Sequence, residues 1–375
     1  MISESSGFTN EFIGKVFGSF VTQSPIRFDA NAGVISVNTQ ARRLGCFIYL
    51  IGQIADHKNI ESLLLSLPSN GLAMLKENLV ANGLRSGYLT GRQSSIKHYL
   101  DAAIELQLLV RQGAVLRLTS RGRFLVDAVR PNFESPYPMD AAAKIFFFYT
   151  ILESDYFGIT AVIRSLLTGK RRVATIQREH RDQLLGVLCE VVERSRDSRF
   201  NRVLQDRILS IRNWKKPESY AEHLVSAKLN WLADLGVLEG VPLSTAEVVV
   251  SKPHEAWAIN LMSASVPTDA HLLGYTLSYG AVMNVASPSE NRDLCAALDM
   301  AFDRLAGSSP LKKIRTVDFL LVLLCFYSDF LVSLTEKARE LVVPKTMRCR
   351  ERSYETHLAS RSTQSFIIGR SRKKR

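Results

Sequence analysis

The feature that most constrains this chain is the segment 94–129, SSIKHYLDAAIELQLLVRQGAVLRLTSRGRFLVDAV, because its apolar period changes twice within it. Ser94 and Ser95 can cap a helix, and Ile96, Leu100, Ala103, Ile104 and Leu108 then share one face at helical spacing. From Leu109 to Thr119 the spacing becomes that of strand, turn and strand, with Gln112-Gly113 as the tip. Leu118-Thr119-Ser120-Arg121-Gly122-Arg123 closes the second strand and launches another helix through Phe124, Leu125 and Val129. Upstream, Asn38 or Thr39 can cap a helix whose Leu44, Phe47, Ile48, Ile51 and Ile54 form one apolar stripe. Helices over 60–67 and 72–79 follow, divided by Pro68 and closed by Gly83.

Helix, short hairpin and a Leu-Thr-x-x-Gly-Arg exit into a last helix together resemble the winged helix-turn-helix superfamily over residues 39–131. The resemblance implies that 94–107 is the recognition-type helix and that Gln112-Gly113 is the tip of the wing. It speaks for fold more than for function.

Beyond the linker 131–138 (PNFESPYP) the sequence predicts helices over 141–152, 157–167, 175–194 and 198–214. A shift of 129 residues then lays Leu100, Leu106, Leu108 and Leu109 over Leu229, Leu235, Val237 and Leu238, and the β-like run 243–250 follows. This reads as a second, divergent winged helix over 217–262, the mark of a tandem reader or of a pseudo-symmetric dimerisation unit. The expected fold class is mainly α with small β wings. It comprises an N-terminal extension (1–38), the two winged helices, a basic helical region (139–216), a C-terminal helical region (263–343) and a tail (344–375). The apolar run 319–327 is about half the ~20 residues needed to cross a membrane and reads as a buried helix. The tail has few apolar residues before Phe366-Ile367-Ile368 and is expected to be disordered in isolation.

Where the charge sits says more than its total of +12. Residues 164–216 carry fourteen Lys/Arg against six Asp/Glu, and 345–375 carry ten against two, leaving −4 for the rest. Two concentrated basic segments suit a polyanion, since each neutralised phosphate releases counterions. Cys46, Cys189, Cys295, Cys325 and Cys349 are scattered without a C-x-x-C pair and read as reduced thiols. Glu4 lies where a signal peptide needs positive charge, so a cytoplasmic protein without membrane attachment is expected.

Catalytic patterns are scarce. Gly169-Lys170 lacks the partner glycine of a phosphate-binding loop, position 164 being arginine. Asp29 with Asp56-His57-Lys58 has the outline of a restriction-type metal site, but it falls at a predicted helix terminus and reads as a solvated end. The seven histidines show neither H-x-H nor H-x-x-x-H, and no nucleophile elbow occurs. Neither a metal nor a cofactor is expected, and the chain reads as non-enzymatic.

The candidate DNA contacts on the first turn of the recognition-type helix are Arg92, Gln93, Ser94, Ser95, Lys97 and His98, with Asp101 and Glu105 confining contact to that turn. Arg111 and Arg117 flank the wing, and Arg121 and Arg123 open the exit helix, where they can clamp the backbone. Lys170, Arg171 and Arg172 head a second basic cluster, and Arg372, Lys373, Lys374 and Arg375 make a terminal anchor. On the second copy Glu222, His223, Lys228, Trp231 and Asp234 suit protein contact, with Trp231 as anchor or as core.

These readings converge on a DNA-binding component of a multi-subunit machine that engages duplex DNA and protein subunits and is compatible with a homodimer. Tandem winged helices without a catalytic motif resemble accessory subunits of bacterial regulators, mobile elements or phage-defence complexes. A structural adapter for a chromosome-organising ATPase is the first alternative. A nuclease with a concealed site, which would nick DNA in a metal-dependent way, is the second.

Overall fold

The computed structural model describes residues 43–56, 68–81, 93–112, 115–128, 139–239, 247–263, 267–283, 294–306, 313–325, 342–343, 346–348, 352–358 and 365–371. The protein is mainly helical with small antiparallel sheets. It divides into a larger unit (28–140 with 150–266) and a smaller one (1–27, 141–149 and 267–375).

The larger unit opens with α1 (Leu44–Asp56), α2 (Pro68–Ala81) and α3 (Gln93–Glu105), then β1 (Leu109–Gln112), β2 (Val115–Leu118) and α4 (Ser120–Ala128). Pro68 starts α2, where its missing N–H has no helical partner to lose. Leu44, Phe47, Leu50, Ile51, Ile96, Tyr99, Ala103, Leu108 and Leu125 are fully buried, so the apolar stripes close one core. The wing is antiparallel, Leu109 opposite Leu118 and Gln112 opposite Val115. The predicted helix over 60–67 and the caps Asn38 and Thr39 lie outside the described residues.

Next come α5 (Ala141–Leu166), β3 (Arg171–Arg172), α6 (Val173–Arg194), α7 (Ser198–Arg212), α8 (Pro217–Asp234), β4 (Leu238–Glu239), β5 (Glu247–Val250) and, after a 3-10 turn at Lys252–His254, α9 (Glu255–Ser263). The sequence divides α5 into two helices. Asp155 (φ −143, ψ 44) is non-helical and kinks the element between the two expected segments. α6 packs against α7 and α8, and β3 joins β5 at the edge of a sheet ordered β3-β5-β4, so residues on both sides of the expected 216/217 boundary share one sheet.

The two halves of this unit are joined alike. At the end of α3, Gln107 takes a positive φ of 57 and the Leu108 N–H donates to the Ala103 carbonyl at 2.9 Å. At the end of α8, Gly236 has φ 76 and the Val237 N–H donates to the Leu232 carbonyl at 2.9 Å, the same bond displaced by 129 residues. Both are left-handed helix ends in which a sixth N–H closes back on the last turn. The Thr119 N–H then donates to the Leu108 carbonyl, and the Ser251 N–H to the Val237 carbonyl, so each second strand returns to the start of its own first strand. The repeat seen in the side-chain pattern is therefore also a repeat of backbone hydrogen bonds.

The two halves pack on each other through α1 and α8. The Asp234 carboxylate accepts from the Leu44 N–H at 2.8 Å and pairs with Arg43 at 2.6 Å, placing a negative charge on the N-terminus of α1. The Phe47 ring meets Tyr99 edge-on at 4.9 Å and Trp231 at 6.4 Å.

The smaller unit contains α10 (Asp269–Val282), α11 (Leu294–Ala306), β6 (Lys313–Arg315), α12 (Thr316–Cys325), β7 (Val342–Val343), β8 (Thr346–Arg348), β9 (Arg352–Leu358) and β10 (Ser365–Ser371). The five strands form an antiparallel sheet in the order β6-β10-β9-β8-β7. Residues 346–371 of the tail, read from sequence as lacking a core, thus supply three strands. Tyr354 is fully buried, its ring 5.3 Å from Phe302 and 5.9 Å from Phe319, and its hydroxyl donates to Asp299. Gly369 lies so close to the Phe302 ring that a Cβ there would overlap it. The tail borrows the apolar surface of α11 and α12 instead of providing its own. As expected, Phe319, Leu320, Leu321, Val322, Leu323, Leu324 and Cys325 are buried in a helix.

Cysteine chemistry departs from expectation at one position. Cys46, Cys189 and Cys325 form no disulfide, whereas Cys295 is disulfide-bonded to a partner outside the described residues. Linear spacing does not reveal which cysteines a fold brings within bonding distance. Among the described residues one helix, α5, is long and apolar enough to cross a membrane, and 94% of its most apolar window is buried within the protein.

Candidate nucleic-acid interface

The helix-hairpin-helix of the first copy is held by its exit motif. The Thr119 hydroxyl donates to the Gln107 carbonyl at 2.6 Å and accepts from the Gly122 N–H at 3.1 Å, so one side chain ties α3 to the first turn of α4. Gly122 sits against the Leu108 carbonyl oxygen, where a Cβ would overlap it. Leu-Thr-x-x-Gly thus records a cap and a close approach. The arginine between them is also committed.

Arg121, expected on the DNA backbone, is buried and pairs with Glu153 of α5, both side chains below 5% exposed. It is a core ion pair, and its position on the inward side of α4 keeps it from a ligand. Arg123, two residues on, is exposed. On α3, Lys97 is exposed and His98 half-buried, while Ile96 before them and Tyr99 and Leu100 after them are buried. Burial, more than the charge of Lys97, draws the His98 pKa below its usual value, against the opposing pull of Asp101. At neutral pH it therefore offers hydrogen bonds and no positive charge. Gln93, Ser94 and Ser95 form the first turn of α3; Arg92 lies outside the described residues.

Both wing arginines are exposed. The register sets Arg117 opposite Val110 and Arg111 opposite Leu116, neighbouring pairs whose side chains leave opposite faces of the hairpin. The hairpin therefore presents a cation on each of its two faces.

The second cluster is partly neutralised. Lys170 and Arg172 are exposed, but both face Glu247 of β5, at 3.0 Å and 3.8 Å, and Arg171 pairs with Glu179. The hydrogen bond from Lys170 holds the Glu247 carboxyl below the usual range. Arg164 grips Glu190 with two bonds of 2.7 Å. The terminal Arg372, Lys373, Lys374 and Arg375 lie outside the described residues.

Of the residues expected to make a protein-contact face on α8, Glu222 and His223 are exposed, but the other three are committed inside the fold. Trp231 has 0% exposure, Lys228 is buried, and Asp234 is occupied at the N-terminus of α1, because α8 is wedged between α1 and α6. Trp231 is a core residue that joins the two copies.

Beneath α8 lies a polar cluster that sequence reading missed. Lys228 pairs with Asp155 at 2.7 Å, with side chains 3% and 5% exposed, and Gly158 leaves the room they need. Burial pushes the Asp155 carboxyl up against the opposing pull of Lys228. His180 is buried beside them, both ring nitrogens without a hydrogen-bond partner among the described residues. Burial, reinforced by Lys228, lowers its pKa from 6.5 to about 3. A histidine that titrates lower folded than unfolded takes up a proton on unfolding between those values. Its contribution to stability is therefore intact above about pH 6.5 and is lost as pH falls toward 3, by up to about 1.4 kcal/mol per pH unit. His180→Leu is expected to flatten the acid limb of a denaturant-unfolding pH series. An unchanged limb would mean that His180 is solvated in the native protein.

Among the described residues no group of three His, Cys, Asp or Glu side chains is placed to hold a metal. Asp56 is the last residue of α1, while Asp29, His57 and Lys58 lie outside the described residues. No family model and no curated protein matches this chain.

Proposed function

We propose that this protein is a tandem winged-helix DNA-binding component of a multi-subunit assembly, with the first copy engaging duplex DNA. The observation that carries the reading is how α3 and its wing divide. Their apolar residues close a core with α1, while Lys97, Arg111, Arg117 and Arg123 remain exposed around the same helix and hairpin. The first turn of α3 enters the major groove, where Lys97 is exposed to meet base edges. The wing lies along the backbone with Arg111 and Arg117 on its two sides, and Arg123 adds a phosphate contact.

The test compares duplex affinity across single variants. Lys97→Ala is expected to cost roughly 1–3 kcal/mol if it reads a base, and Arg117→Ala a smaller, sequence-independent amount. Neither change should alter the melting temperature. Leu108→Ala, at a fully buried position, should instead destabilise the fold by roughly 2–5 kcal/mol. Retention of full duplex affinity in both basic variants would transfer the first copy to an adapter role built on protein contacts.

A further inference from the structure

The junction between α7 and α8 places exposed aromatic rings among cations. Arg212, Asn213, Trp214, Lys215 and Lys216 link the two helices, and Tyr220 follows in the first turns of α8. Tyr220 is 51% exposed, and its ring meets that of half-buried Trp214 at 5.4 Å with a tilt of 34°. Arg212, Lys215 and Lys216 are exposed. From α6, Arg181 reaches the Ile211 and Arg212 carbonyls at 3.3 and 2.6 Å, which brings exposed Arg178, one turn earlier, to the same end.

Unlike Arg164, Lys170 and Arg171, which are matched to carboxylates, Arg178, Arg212, Lys215 and Lys216 make no ion pair among the described residues. The acidic side chains closest in sequence on α8, Glu218 and Glu222, are exposed and border the patch on one flank. The contrast with the other tryptophans is sharp. Trp231 is 0% and Trp257 2% exposed, the latter donating to His254 at 2.8 Å.

A ring pair left partly in water forgoes burial that the same residues obtain elsewhere in this fold. Base faces are the nucleic-acid surface that such a pair matches, and a duplex keeps those faces stacked and closed. Flanking cations then follow the phosphates of an open strand. We propose that the α7–α8 junction binds single-stranded nucleic acid, stacking a base on the Trp214–Tyr220 pair while Arg212, Lys215 and Lys216 contact phosphates. This goes beyond the duplex contact assigned to α3 and uses different elements.

The chain carries its own reporter, since two of its three tryptophans are buried. Titrating the full chain with a thymidine oligonucleotide of roughly 20 nucleotides, long enough to exceed a site of this kind, is expected to quench tryptophan fluorescence. The quench should vanish in Trp214→Phe. Trp214→Ala combined with Tyr220→Ala should weaken oligonucleotide binding by about tenfold. Lys215→Ala with Lys216→Ala should lower its salt dependence. All these variants should keep the wild-type melting temperature and duplex affinity. A Lys97, Arg111 and Arg117 variant should lose duplex binding yet keep the quench, so failure of the α3 reading and failure of this one are separable. Absence of quenching at low salt, or unchanged oligonucleotide affinity in the aromatic double variant, would overturn the proposal. So would quenching by polyglutamate that the oligonucleotide does not reproduce, which would give the patch to an acidic protein.

Discussion

Lys228→Ala is expected to destabilise the larger unit by about 3–5 kcal/mol, because it strands the Asp155 carboxylate without its 2.7 Å partner in a buried site. The cost at neutral pH is that of either keeping a lone charge out of water or protonating a carboxyl already pushed upward by burial. Removing both charges together, Lys228→Met with Asp155→Leu, should recover much of the loss, since a buried pair often does no better than apolar groups of similar volume. Denaturant unfolding of the two single variants and the double variant measures the coupling directly. A loss below about 1 kcal/mol for Lys228→Ala would place the pair among solvated surface bridges and contradict its burial.

Truncation after Pro344 is the other large effect. It removes β8, β9 and β10, three of the five strands in the smaller unit, together with Tyr354, and leaves Phe302 and Phe319 facing water. It also removes the 2.6 Å bond between Arg352 and Asp303. The truncated chain is expected to aggregate or to lose cooperative unfolding in this unit, and Tyr354→Ala alone to cost roughly 3–5 kcal/mol. A truncated chain that melts as the full chain does would restore the tail to the role of a detachable charged appendage.

These two effects mark where sequence reading stops. Periodicity located α1, α3, the wing and α4 because each has its own apolar face, and the shift of 129 residues located α8 because its closing bonds repeat those of α3. The tail strands carry too few apolar residues to register, since their core is lent by Phe302 and Phe319. Arg121 and Lys228 read as surface candidates, and Trp231 as either anchor or core, because nothing local says which side of a helix a neighbour will cover. Glu153, Asp155 and Phe47, the partners that decide it, are separated from them by 32 residues or more along the chain. Trp214 and Tyr220 lie within a few residues of two lysines, but only their exposure distinguishes them from core aromatics.

The most direct test of the DNA-binding account is the salt dependence of duplex affinity for the wild-type chain and for the combined Lys97→Ala, Arg111→Ala and Arg117→Ala variant. Binding by the first copy predicts a steep fall in wild-type affinity with salt, and a slope in the variant reduced by about one for each phosphate contact removed. Thermal stability should be unchanged, since all three residues are exposed. Equal slopes and equal affinities for the two proteins would contradict the account and leave α3 and its hairpin as a surface for protein partners.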